Sequence, residues 1–150
     1  FSIVALVFGT AFVESLNLQR RAYAIQQVEE NVGFVLQAMA KEIRVSQISG
    51  VDTSCPGSPA TTLTMNHPVN GTITYSLVGT DVRRTVGGDN TTFNSGTVQF
   101  TRLQFCITGN GSLDQKQPRV TIIVGVRSTN VAQQASMDVQ TTISARYLSN

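Results

Sequence analysis

A chain of 150 residues with 41% apolar side chains is one ordinary domain, with enough material for a real core. Charged residues make up only 13% and the net charge is +2, which excludes the dense basic surface of a typical nucleic-acid binder. Thr, Ser, Asn, Gln and Gly crowd the second half, a polar but weakly charged composition that suits a β-rich exported protein.

Residues 1–48 read as one long helix, free of proline and weakened only at Gly9 and Gly33. At 1.5 Å per residue it spans roughly 70 Å, far more than a domain of this size needs. The front is almost wholly apolar: Phe1, Ile3, Val4, Leu6, Val7, Phe8, Phe12 and Val13 precede Glu14, which ends the run. Such a run is too short for a bilayer, which takes about 20 residues. It also lacks the basic start and small-residue cleavage site of a secretory signal. It is therefore either a buried core helix or the rear of a longer apolar segment. Arg20 and Arg21 follow, placed to meet anionic headgroups or the acidic residues of a neighbouring helix.

From Ile25 the pattern changes. Ile25, Val28, Val32, Val35, Leu36, Met39 and Ile43 recur at three- and four-residue steps, one stripe of an amphipathic helix. Gln26, Glu29, Glu30, Gln37, Lys41 and Arg44 take the opposite face. A coiled coil is disfavoured because Glu42 interrupts the heptad, so the stripe is expected to pack on a sheet. Residues 49–59, with two prolines and two glycines, end the helix.

Residues 61–65, 72–78, 82–86, 97–107, 120–127 and 137–145 read as strands. Ile73, Tyr75 and Leu77 share one face, as do Val120, Ile122, Val124 and Val126, and Met137, Val139, Thr141 and Ile143. One apolar and one polar face describe an antiparallel sheet covered on one side, with the helix stripe as the cover. Asn70-Gly71, Gly79-Thr80-Asp81, Gly87-Gly88-Asp89-Asn90 and Gly109-Asn110-Gly111 supply the turns. The expected fold class is α+β, a long N-terminal helix on an antiparallel sheet.

Chemistry-bearing residues are sparse. Cys55 and Cys106 form either a disulfide, if the chain is exported, or two buried thiols. Closing that loop contributes about 4 kcal/mol in the chain-entropy model. His67 is the lone histidine and sits in a turn-like NHPVNG. No nucleophile elbow, zinc-protease motif or phosphate loop is present, so no catalytic, metal or cofactor residue is assigned. Asp81, Asp89-Asn90 and residues 110–114 offer oxygen ligands for calcium, but each loop holds only two or three where Ca²⁺ wants six to eight. They read as turn residues. Arg83 and Arg84 point to opposite faces of a strand and so form no nucleic-acid patch with Arg102, Arg119 and Arg127. Asn70, Asn90 and Asn110 head N-x-[ST] triplets.

A long helix with a greasy front and an antiparallel sheet on its rear resembles the type IV pilin architecture. FSIVALVFGTAF followed by QQVEENVGFVLQAMAKEIRVSQI resembles minor pilins and minor pseudopilins of the type II secretion J and pilus W kind. Leu36, Met39, Glu42, Ile43 and Arg44 fit the pattern that closes their helix. GTITYSLVGTDVRRTVGG resembles their hairpin and VQTTISARYL their closing strand. The resemblance covers most of the chain. It implies that residues 1–24 protrude as a membrane and filament-core helix and that residues 25–150 form an exported head. It also implies that the partners are other pilin or pseudopilin subunits, with the inner membrane before assembly. The competing function is a DNA- or surface-binding minor pilin. One departure stands out: mature pilins carry a glutamate four residues after their first phenylalanine, and here Ala5 holds that place. Either the chain is a divergent subunit whose mature end is Phe1, or further apolar residues precede Phe1; the second is the expectation.

Overall fold

The computed structural model describes residues 2–111, 116–130 and 134–146, with residues 2–8 described by backbone alone. Helix α1 runs Ser2–Val45, about 66 Å at 1.5 Å per residue. It ends three residues before the expected Ile48. Instead of continuing the helix, Gln47–Ser49 forms a short strand, β1, in which Ile48 pairs with Met65 and is buried. Chain reversal here is stabilised by sheet pairing, which local helical periodicity does not register.

The six expected strands are present: β2 Thr62–His67, β3 Gly71–Val78, β4 Asp81–Val86, β6 Val98–Thr108, β7 Arg119–Ser128 and β8 Ser136–Ser144. Two strands went unread, β1 and β5 Asp89–Thr92. Asp89 and Asn90, expected in the turn, belong to β5, and the turn is only Gly87-Gly88, both with positive φ, at 59° and 98°. That left-handed backbone suits glycine and fits the twist of a tight hairpin. β5 is exposed along its whole length, so it has no apolar alternation to betray it.

The strands form two sheets, where one was expected. Strands β1–β2–β3–β4–β5 make a five-stranded antiparallel meander and β6–β7–β8 a three-stranded one. Alternation gives the facing of each strand but not its sheet membership. Residues 52–60 lie along β6 and link the sheets. Ala60 and Phe105 exchange backbone hydrogen bonds of 2.8 Å, and Thr53 N–H donates to Ile107 O at 2.8 Å. Phe100 N–H adds a bond to Thr80 O at 3.0 Å. The segment also covers a strand edge that would otherwise invite foreign pairing.

Cys55 and Cys106 are joined by a disulfide within this same zipper. β6 carries a bulge between Phe100 and Arg102. Before it Val98 and Phe100 face inward; after it Leu103, Phe105 and Ile107 do. The bulge shifts the inward parity by one residue, so an unusually long strand keeps one apolar face.

The core lies between helix and sheets. Val28, Val32, Val35, Met39 and Ile43 are 3% exposed or less and pack with Leu63, Met65, Ile73, Tyr75, Phe100, Phe105, Ile122 and Val124. Leu36 is partly buried against this cluster. Each fully buried side chain of this size contributes about 1.5–3 kcal/mol. Ile25, expected in the stripe, is a correction: it is 39% exposed, and Ala24 at 5% takes its place. The head touches the helix along the side carrying Ala24 and Val28, four residues apart, so Ile25 lies outside the seam.

Candidate functional site: an exposed helix front on a clamped head

Before Ala24 none of the side chains described on α1 is buried. Phe12 is 65% exposed, Val13 55%, Leu18 68% and Tyr23 63%, and Glu14, Arg20 and Arg21 are exposed as well. Single apolar side chains at a surface need no explanation, but a run of them along one helix does. Ile3, Val4, Leu6, Val7 and Phe8 lie on the helical backbone, with their side chains outside the described residues; Phe1 lies outside them altogether. Among the described residues, no helix is long and apolar enough to cross a membrane.

Where the helix meets the head, an open groove of about 690 Å³ runs between Leu16, Arg20 and Tyr23 on one wall and Thr97, Ser128 and Thr129 on the other. Higher up, Asn31 ties helix to head: its Oδ1 accepts from Ser95 N–H at 3.0 Å. Phe34, 58% exposed, stacks on Phe93 with ring centroids 5.9 Å apart, and Phe93 meets Tyr75 edge-on at 5.9 Å.

The firmest polar joint is at Glu42. The residue that seemed to interrupt the stripe belongs to it and is used by it. Arg84 Nη2 donates to Glu42 Oε1 at 2.7 Å and Arg84 Nε at 3.1 Å, while Tyr75 Oη donates to Oε2 at 2.7 Å. Tyr75 and Arg84 are cross-strand partners on β3 and β4, so one carboxylate on the helix holds two adjacent strands. Burial, then the bond to Glu42 and its negative charge, push the Tyr75 hydroxyl well above the usual phenol range. The bond to Glu42 likewise raises Arg84 above the ordinary guanidinium value. Of the two adjacent arginines expected on opposite faces of the strand, Arg84 is the one that faces the helix. Its alternation with Val82 and Val86 was the signal in the sequence.

The remaining candidates resolve into structural roles. His67 closes β2, and its Nδ1 accepts from Val69 N–H and Asn70 N–H, each at 3.1 Å. Asn110 is buried: its Nδ2 donates to Ile48 O at 3.2 Å and Gly50 O at 2.8 Å, and its own N–H donates to Asp52 at 2.7 Å. It locks the β1 end to the β6 end, a role that its N-x-[ST] setting does not signal. Asp81 accepts from Asn94 at 3.1 Å, Asp89 is exposed on the outer strand, and Asp114 lies outside the described residues. Among the described residues no three His, Cys, Asp or Glu side chains gather around a point that would hold a metal. Arg102 pairs with Asp138 at 2.9 Å and Arg127 with Gln99 at 3.0 Å on the polar face of the three-stranded sheet.

Compared with known proteins, the chain matches no family model, no curated sequence and no solved structure.

Proposed function

We propose that this chain is a structural subunit, of the minor kind, of a type IV pilus or a type II secretion pseudopilus. The observation that carries the reading is the division of α1. The stretch from Ala24 to Ile43 is committed to the head by buried side chains, while Phe12, Val13, Leu18 and Tyr23 have no such cover. In this reading the front of the helix is held in the inner membrane and then exchanges lipid for equivalent helices in a filament. Close packing and polar matches choose the register there. The head is exported and forms the outside, where a disulfide is at home. The reaction is assembly, and no catalytic step is needed.

Deletion of residues 1–13 tests this. A subunit that uses its helix front for assembly retains its melting temperature within about 3 °C and no longer enters sheared filaments. A stand-alone ligand-binding domain that buries that segment would instead lose 10 °C or more, which would sink the proposal. The second reading, a DNA- or surface-binding minor pilin, draws on Arg102, Arg119 and Arg127, which lie on one face of the three-stranded sheet. Arg102 and Arg127 are already paired there. Absence of DNA binding by residues 22–150 at low salt removes it.

A further inference from the structure

A hollow of about 380 Å³ lies between α1 and the meander, beside the Glu42 joint. Phe34, Gln37, Ala38 and Lys41 line it from the helix, where three- and four-residue steps put them on one face. Ala38 stands four residues from both Phe34 and Glu42, and its single methyl leaves the space between them open. One wall is aromatic: Phe34, 58% exposed, lies offset on Phe93. The polar groups around it are unspent. Gln37 and Lys41 are exposed, and neither makes a hydrogen bond or ion pair among the described residues. Arg84 commits Nε and Nη2 to Glu42, which leaves both N–H groups of Nη1 without a partner among the described residues. Arg84 and Glu42 cancel in charge, so Lys41 sets the net charge of the lining at one positive unit.

We infer that this hollow binds a pyranose ring that carries a carboxylate, a uronic acid unit of an acidic polysaccharide. The exposed face of Phe34 is partly negative and attracts the polarised C–H bonds on the apolar face of a sugar. Sugar hydroxyls both donate and accept: they accept from Arg84 Nη1 and the Gln37 amide, and donate to the Gln37 carbonyl oxygen. Lys41 supplies one charge for one carboxylate. A protein partner fits less well, because a stable interface takes about 800 Å² per partner around an apolar centre. Here the apolar lining is Phe34, Ala38 and Phe93 alone, and β5, next to Arg84, is polar and exposed. A nucleic acid fits less well too, since binding one relies on several cations along the phosphates, and this lining holds one net charge with Glu42 in the same wall. The hollow uses nothing from the helix front, so it stands apart from the filament reading.

The test is saturation-transfer NMR on the full-length protein in detergent micelles, titrated with a galacturonic acid trisaccharide. The parent chain is expected to transfer saturation to the ring C–H protons of the sugar. Maltotriose, which lacks the carboxylate, should bind about three- to ten-fold more weakly, and K41Q should abolish that preference. F34A is expected to weaken binding about ten-fold. A38L fills the hollow while keeping a good helix former in place, and should weaken binding by more than about ten-fold. Melting temperatures of A38L and K41Q within about 2 °C of the parent separate lost binding from lost fold. No transfer to the trisaccharide, or transfer that A38L leaves unchanged, overturns the assignment. Equal binding of maltotriose by the parent overturns the acidic class of ligand. Transfer to oligothymidylate that A38L abolishes, with none to the trisaccharide, overturns the assignment in favour of single-stranded nucleic acid.

Discussion

Replacing Glu42 by alanine removes the acceptor of three donor groups at once: Tyr75 Oη, Arg84 Nε and Arg84 Nη2. Tyr75 is fully buried, and its hydroxyl has Glu42 as its acceptor; stranding it costs about 1–3 kcal/mol. Arg84 loses its carboxylate in a place where both side chains are 18% exposed. That lies between a surface pair, worth about 0.2–1 kcal/mol, and a buried one, whose breakage costs about 3–5 kcal/mol, so about 1–2 kcal/mol applies. The expected total for E42A is about 3 kcal/mol. Y75F, which leaves Glu42 bonded to Arg84, is expected to cost about 1 kcal/mol. The coupling of Glu42 and Arg84 in a double-mutant cycle with R84M should be about 1–2 kcal/mol. The assay is urea unfolding followed by circular dichroism, in a mild detergent that covers the helix front. The same joint has a pH signature. The folded Tyr75 keeps its proton above the unfolded value, so its contribution is complete below about pH 10 and is lost as pH rises further. The slope is at most about 1.4 kcal/mol per pH unit, and Y75F should flatten it. If E42A lies within 1 kcal/mol of the parent, or the cycle shows no coupling, Glu42 is not the joint between helix and meander.

Other substitutions separate the remaining parts of the argument. Removing the disulfide in C55A/C106A is expected to lower stability by about 3–4 kcal/mol, read as a shift in the urea midpoint. N110A strips the buried donors from Ile48 O and Gly50 O and should cost about 2 kcal/mol; N110D, which sets a carboxylate against two carbonyls, should cost more in the same assay. Ser46 Oγ is buried with no hydrogen-bond partner among the described residues, so S46A is expected to be neutral or slightly stabilising, and a loss above 1 kcal/mol would contradict the geometry. F12S and L18S should leave head stability within about 0.5 kcal/mol of the parent and lower assembly into sheared filaments.

Much of the fold was legible because both periodicities are strong. The Val28–Val32–Val35–Met39 spacing marks the helix face, and the Ile73–Tyr75 and Val120–Ile122–Val124–Val126 alternations mark strand faces, wherever half of each element is buried. β5 escaped because all four of its residues are exposed, and exposure leaves no alternation. β1 escaped because three residues following a helix carry too little pattern to outweigh it. Glu42 reads as an interruption in the sequence because a carboxylate on an apolar stripe has no visible role until tertiary packing supplies Arg84 and Tyr75 as its partners.

The amino-acid sequence by itself determines that one long helix leads the chain, the inward face of most strands, the apolar front and the sparse charges that punctuate it. These follow from local spacing, which neighbouring residues impose on one another through backbone geometry. Only the tertiary structure decided that the strands divide into two sheets and that Arg84 and Tyr75 converge on Glu42. It alone placed Asn110 inside as a lock, and it alone set Ala24 as the last point where the head holds the helix. Each of these joins residues dozens of positions apart, and their proximity is set by the packing of whole elements, which no local pattern encodes.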